Sequence, residues 1–274
     1  MARYAHVMEC LGRVPVRVVW EDGEVRAEAR GEPIIEECPL MRSREGFERL
    51  TPEAAERHVL RKARELGMFT PERRLRSCRR YTPFGVSETL MVCLRYGLIN
   101  AAVVVSDCLG TVVTDRPSVV QGLGGEVSGI VETDPIPEVV ERAERLGCTV
   151  LERIDQVEGV ETALERFGPP VAVTVVDPGE AARIREEFGR DVLIAAVHTS
   201  GLDERGADRL VRACDIVTGC PSEAVKEACE RTYLVKSGRS IPVYGVTPMG
   251  AEALLLNARE LSGEEPVRVL RGRG

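Results

Sequence analysis

The sequence predicts an α/β protein: a mostly parallel, doubly wound sheet with helices on both faces, preceded by a small β-rich N-terminal unit. Three observations lead there. From Ala101 onward, short apolar runs rich in β-branched residues alternate with longer amphipathic stretches, as strand–helix–strand units do. Before that, residues 14–20 and 24–29 flank Glu21-Asp22-Gly23, which reads as an antiparallel hairpin. The length, 274 residues, leaves room for one large domain with a small appendage, divided as residues 1–50 and 51–274.

In the N-terminal unit, residues 33–37 are expected to form a third extended piece, ending at Cys38-Pro39. Thr51-Pro52-Glu53-Ala54 marks a helix start: a hydroxyl for the cap, proline at the first helical position and an acid in the first turn. That helix should end at Gly67. Residues 72–81 carry Arg73, Arg74, Arg76, Arg79 and Arg80, which read either as a solvated loop or as an electropositive lip for an anion. A helix follows over 87–96, apolar at Leu90, Met91 and Leu94. Strands are then expected at 101–105, 129–132, 149–152, 171–176, 192–197, 215–218, 233–236 and 242–246. The helices between them fall near 137–146, 159–167, 179–188, 203–213, 222–230 and 249–261, several opening on a capping Asp or Ser. The tail after Ser262 is polar and basic and is expected to fray.

Composition narrows the class of function. Hydrophobic residues make up 43% and charged residues 30%, a globular balance that excludes a mainly disordered chain. No apolar run approaches the roughly 20 residues needed to span a bilayer, and no secretory signal opens the chain, so a cytoplasmic protein is expected. A net charge of −7 argues against a nucleic-acid binder. Lysine occurs only at 62, 226 and 236, Asn at 100 and 257, and Gln at 121 and 156; either heat adaptation or a GC-rich genome produces that bias. Nine cysteines, none in a Cys-x-x-Cys pair, read as buried thiols, metal ligands or reactive groups before disulfides.

In an open parallel sheet, ligands bind beyond the carboxyl ends of the strands. Read off the sequence, those ends are Asp107-Cys108, Thr133-Asp134, Asp177, His198-Thr199-Ser200, Thr218-Gly219-Cys220 and Thr247. Asp107, Cys108, Thr133, His198 and Cys220 are therefore expected around one cleft. Asp107, Cys108 and His198 are the catalytic candidates, His198 as a general base or else a satisfied buried histidine. Cys38, Cys108 and Cys220 are the candidate metal ligands, if the N-terminal unit folds over the edge. Thr133, Thr199 and Ser200 are candidate contacts to a cofactor of unknown identity. Gly122, Gly124 and Gly125, in the glycine cluster ending at Gly129, read either as a tight turn or as a backbone amide nest for an anion.

A set of short stretches carries a resemblance. Cys38-Pro39-Leu40, Phe84-Gly85-Val86-Ser87-Glu88, Gly110-Thr111-Val112-Val113-Thr114, Val120-Gln121-Gly122-Leu123-Gly124-Gly125 and Ser128-Gly129 together resemble the methanogenesis marker protein 8 family. Pro135-Ile136-Pro137-Glu138-Val139, residues 154–160, Val197-His198-Thr199 and Asp215-Ile216-Val217-Thr218 extend the likeness over nearly the whole chain. The resemblance implies an archaeal protein of methanogens, with a role tied to methyl-coenzyme M reductase, its nickel tetrapyrrole or its maturation factors. It assigns no catalytic residues. Three readings stay open: an accessory protein binding a small anionic ligand, cofactor or metal at the strand-end edge; a thiol- or metal-dependent enzyme using Cys108 and His198; and an assembly factor acting by protein contact alone. No nucleic-acid or membrane partner is expected.

Overall fold

The computed structural model describes residues 2–238, 240–261 and 267–269. The chain opens with β1 (Arg3–Glu9), β2 (Pro15–Glu21), β3 (Glu24–Ala29), α1 (Pro39–Glu45) and α2 (Pro52–Leu66). Thr51 caps α2 as expected, its hydroxyl accepting from Ala54 N at 3.2 Å. The middle of the chain holds α3 (Val86–Arg95), β4 (Ala101–Ser106), β5 (Gly110–Thr114), α4 (Pro117–Gly124), β6 (Ile130–Thr133), α5 (Pro137–Arg145), β7 (Thr149–Val150) and α6 (Gln156–Phe167). Then come β8 (Val171–Val175), α7 (Pro178–Phe188), β9 (Val192–Ala196), α8 (Glu204–Ala213), β10 (Ile216–Thr218), α9 (Glu223–Glu230), β11 (Val235–Ser237), β12 (Val243–Gly245), α10 (Pro248–Glu260) and β13 (Val267–Val269). Residues 262–266 and 270–274 of the basic tail lie outside the described residues.

These elements build two sheets. The smaller is antiparallel in the order β3-β2-β1-β6, and the larger runs β13-β11-β12-β10-β9-β8-β4-β5-β7. The expected α/β class stands, but a mostly parallel doubly wound sheet does not. Among the described residues, only β4·β8, β8·β9 and β9·β10 pair in parallel; the other pairings of the large sheet are antiparallel. The cause is loop length. β4 and β5 are joined by Asp107-Cys108-Leu109 alone, too short for a crossover, so the chain must return antiparallel. The run Gly110–Thr114 carries the β-branched signature of this return strand but was not among the expected strands.

Helices do cover both faces, because alternate residues of each strand point to opposite sides. Ala102, Val104, Ala172 and Leu193 pack with α3, α4, α5 and α10, while Ala101, Val103, Val171 and Val173 pack with α6, α7, α8 and α9. The small sheet buries Val14, Val16 and Val18 against Ala55, Val59 and Phe69 in and just after α2.

Three further expectations fail. Residues 33–37 form no strand; the small sheet is completed instead by β1 and by β6, which the sequence reading assigned to the main sheet. The glycine cluster is no loop at its start, since Pro117–Gly124 is helical with Pro117 in the first turn. Gly122 is there for close approach: a Cβ on it would overlap the Leu75 carbonyl.

One buried ion pair ties the two layers together. The Asp107 carboxylate accepts from Arg73 Nε at 2.9 Å and from Phe69 N at 2.7 Å, with both side chains of the pair fully buried. The same guanidinium donates to the carbonyls of Arg74 at 2.7 Å and Leu123 at 3.3 Å. Asp107→Ala, which leaves that guanidinium buried and uncompensated, should cost about 3–5 kcal/mol in chemical denaturation. Replacing both partners, Asp107→Leu with Arg73→Met, should cost clearly less than the single change in the same experiment.

Candidate functional site

A cavity of about 760 Å³ opens between the carboxyl ends of β4, β8, β9 and β10 and the small-sheet layer above them. The sheet supplies Val105, Asp177, His198, Ser200, Thr218 and Cys220; β1, α1, α2 and the first turn of α3 supply the opposite wall. The parallel strands all end at this edge, which is why their terminal residues meet there although they are distant in the chain.

His198 follows β9 by two residues and stands in the left-handed region, at φ 55. Its side chain is 12% exposed and its Nε2 is buried without a hydrogen-bond partner. The nearest charge is the Glu9 carboxylate at the end of β1, 3.6 Å away, an ion-pair distance longer than a hydrogen bond. Arg13 Nε donates to Glu9 at 2.7 Å. His198 first, and Arg13 after it, hold the Glu9 carboxyl below the usual carboxylate range against the opposing effect of burial.

At the end of the neighbouring strand β8, Asp177 caps α7 by accepting from Glu180 N at 2.7 Å. Both carboxylates border the cavity. Burial first, then the charges of Asp177 and Asp155, push the Glu180 carboxyl up to about 7. Across the cavity the charges are already paired. Lys62 Nζ donates to Glu126 O at 2.7 Å, Arg44 bonds the Glu126 carboxylate, and His58 Nδ1 lies 2.8 Å from Glu45. Burial pushes the Lys62 ammonium down, and Glu126 works against it.

The other expected residues divide sharply. Cys38, Gly124, His198, Ser200 and Cys220 border the cavity. Burial first, and the nearby Cys220 last, push the Cys38 thiol up. Asp107, Cys108, Thr133 and Thr199 are not on its wall. Cys108 is buried in the β4–β5 turn with its thiol toward Thr70 O at 3.8 Å, and burial, then Asp107, push that thiol well above its ordinary range. A thiolate is therefore disfavoured there, and Cys108 does not join Cys38 and Cys220. Among the described residues, no group of three or more His, Cys, Asp or Glu side chains is placed to hold a metal ion. Asp107 is held by Arg73, and the Thr133 hydroxyl accepts from Cys108 N and bonds His6 Nδ1, each at 2.8 Å. The Thr199 hydroxyl donates to Thr218 O at 2.6 Å. Gly122 and Gly125 face packed chain, a Cβ on Gly125 meeting the Tyr81 ring at 2.7 Å.

The arginine-rich stretch forms no lip. Arg73 is buried on Asp107, Arg76 Nε reaches Ser118 at 3.3 Å, and Arg80 binds Glu260 and Asn257, each at 2.8 Å. Glu9 and Glu180 were not anticipated. Glu180 had a signal, as the acid three residues after a strand-end Asp177; Glu9 sits on a strand that was not expected.

Two outcomes follow from this geometry. Gly129 has φ +77, and a Cβ on it would overlap the Glu9 carbonyl and lie 3.2 Å from His198 Nε2, so Gly129→Ala should lower stability by more than about 1 kcal/mol in denaturant titration. Gly124, with no positive φ and only Ser87 Cβ nearby at 3.2 Å, should accept Ala within about 1 kcal/mol. Glu180 sets the second outcome, because its carboxyl is raised in the folded state. Its contribution to stability is fully present below the unfolded value of 4.5 and is lost as pH rises through about 7, since the unfolded chain ionises first. Thermal unfolding between those limits should therefore fall less steeply with pH in Glu180→Gln than in the parent protein.

Among the described residues, no helix is long and apolar enough to cross a membrane. No solved structure matches the chain. A protein described as uncharacterized, from Methanocaldococcus jannaschii, is 37% identical over 262 residues, covering 93% of this chain and 91% of that protein. A family model described as an uncharacterized protein conserved in archaea, DUF2099, matches residues 6–259. With the family model spanning nearly every element that shapes the cavity, the chain belongs to the archaeal DUF2099 family.

Proposed function

We propose that this protein is a methanogenesis-associated accessory factor that binds a small, partly apolar ligand with an anionic end in the strand-edge cavity. The observation that carries the reading is the cavity itself: about 760 Å³, at the carboxyl ends of the parallel strands, with His198 buried in its wall and unpaired at Nε2. That volume suits a metabolite- or cofactor-sized molecule. Apolar side chains such as Met41, Phe84, Val105 and Ile241 supply contact area. The anionic end is read from Arg44 and Lys62, which border the cavity; the amides that open α3 are not open to it, because the Glu88 carboxylate stands at that helix start beside Gly85.

The cellular context rests on two likenesses. The residue stretches of the marker protein 8 family point to methanogens, and the 37% identical relative comes from one. We place the protein in the maturation of methyl-coenzyme M reductase or its cofactor, in the cytoplasm. A thiol-dependent enzyme is the second reading. Cys220 and Cys38 favour it, since both thiols border the cavity.

Protein purified anaerobically from a methanogen host and sprayed under native conditions should carry a non-covalent small molecule, released on denaturation. Filling the cavity with Gly124→Phe should abolish that adduct in a folded protein. A native mass equal to that of the bare chain, together with no retained metabolite in the denatured extract, would count against ligand binding.

A further inference from the structure

The chain has three histidines, and two of them, His58 and His198, border the cavity. His6 bonds Thr133 through Nδ1 and lies against the Phe69 ring, centroids 5.4 Å apart, away from the cavity wall. His58 stands on the helical wall, with Nδ1 2.8 Å from Glu45 of the same layer. His198 borders it from the strand side, its buried Nε2 in no hydrogen bond and 3.6 Å from the Glu9 carboxylate of the other layer.

We propose that His198 and Glu9 form an acid–base couple that takes a proton from a ligand held in the cavity, a molecule with an ionisable O–H or S–H or a C–H beside a carbonyl. The inference rests on the reading that the cavity binds a small molecule.

The couple is assembled from both sheets. β9 of the large sheet delivers His198, and β1 of the small sheet delivers Glu9 to 3.6 Å from Nε2. Arg13, 2.7 Å from Glu9 and itself in the left-handed region at φ 62, fixes the carboxylate in place and keeps it ionised. Gly129 leaves room for the imidazole, since a Cβ there would stand 3.2 Å from Nε2. His198 holds a left-handed backbone conformation that an L-residue adopts at a cost, and such strain gathers where a side chain must be aimed. With an Nε2 proton directed toward Glu9, Nδ1 carries the lone pair.

The step balances within the couple. Nδ1 accepts the ligand's proton, the electron pair of the broken bond stays on the ligand, and the imidazolium charge is offset by the Glu9 carboxylate. The reverse transfer returns the proton to the ligand. Other charges border the same cavity and tune the couple. Asp177 and Glu180 stand past β8, and the thiols Cys38 and Cys220 lie on the walls. Lys62, Arg44 and Glu126 form one paired set, and His58 with Glu45 another.

Diethyl pyrocarbonate, which acylates accessible unprotonated imidazole nitrogens, tests this on the full chain, with peptide mass spectrometry assigning the sites. His198 should react faster than His6 and His58. In Glu9→Gln, the rate–pH profile of His198 should move toward acid, because the imidazolium loses its counter-charge. In Arg13→Met, it should move the opposite way, because Glu9 loses its competing cation. Glu9→Asp should keep the profile of the parent. Equal reactivity of the three histidines, or a His198 profile that stays put in both Glu9→Gln and Arg13→Met, overturns the couple. If Glu9→Gln does not fold, the Arg13→Met shift decides alone. A protein that carries a small molecule in native mass spectrometry yet fails these tests loses the couple and keeps the cavity reading.

Discussion

The buried Arg73–Asp107 pair is the constraint on which the two-layer arrangement depends. Asp107 sits in the turn where β4 gives way to β5, and its carboxylate is spent on Arg73 Nε and the Phe69 amide. Both partners belong to the segment that follows α2, the helix packed on the small sheet. Two buried charges are costly unless every lone pair and proton is met, and here the guanidinium also serves the carbonyls of Arg74 and Leu123. The pair thus specifies one docking of the layers. Beside it, the Thr133 hydroxyl joins Cys108 N to His6, so β6 and β1 are fastened to the same turn.

The cavity is a consequence of that docking. The small sheet lies over the carboxyl ends of β4, β8, β9 and β10, and the two layers do not close fully against each other. Polar groups at one end of the parallel strands face groups from β1, α1 and α2. On the helical side these groups satisfy one another, Lys62 and Arg44 with Glu126, and Arg61 with Glu45, which His58 also hydrogen-bonds. On the strand side they are less satisfied. His198 has an unpaired Nε2, and Glu180 is crowded by Asp177 and Asp155. Unsatisfied groups in a concave, mainly apolar setting are where a ligand gains most from binding.

The hinge-like glycines and the aspartates near the seam have structural work of their own. Gly122 lets the backbone at Leu75 lie directly on α4, and Gly129 lets β6 approach β1 beside His198. Asp107, the strongest-looking acid at a strand end, is unavailable for chemistry because it anchors the fold. A strand-end position therefore identifies a neighbourhood, and packing decides which residues in it remain free.

Local pattern determined much of this protein. The hairpin around Asp22, the cap at Thr51, the helices from α5 to α10 and the apolar strands β8, β9 and β10 were all legible, because a period of two or 3.6 and a capping side chain act over a few residues. The strand-edge rule also pointed to His198, Ser200 and Cys220, and Cys38 was named on the condition that the N-terminal unit folds over that edge; all four border the cavity. Strand direction and partnership were not legible. Gly110–Thr114 returns antiparallel because its turn is three residues long, and Ile130–Thr133 leaves the main sheet to pair with β1. Periodicity says which face of a strand is buried but carries no information on its neighbour. For the same reason, tertiary structure alone decided that Arg73 would meet Asp107 in the interior, that Cys108 would turn away from the cavity, and that Glu9 would come to stand beside His198. Each of these depends on two distant segments meeting, and no residue's local sequence encodes what lies across the seam.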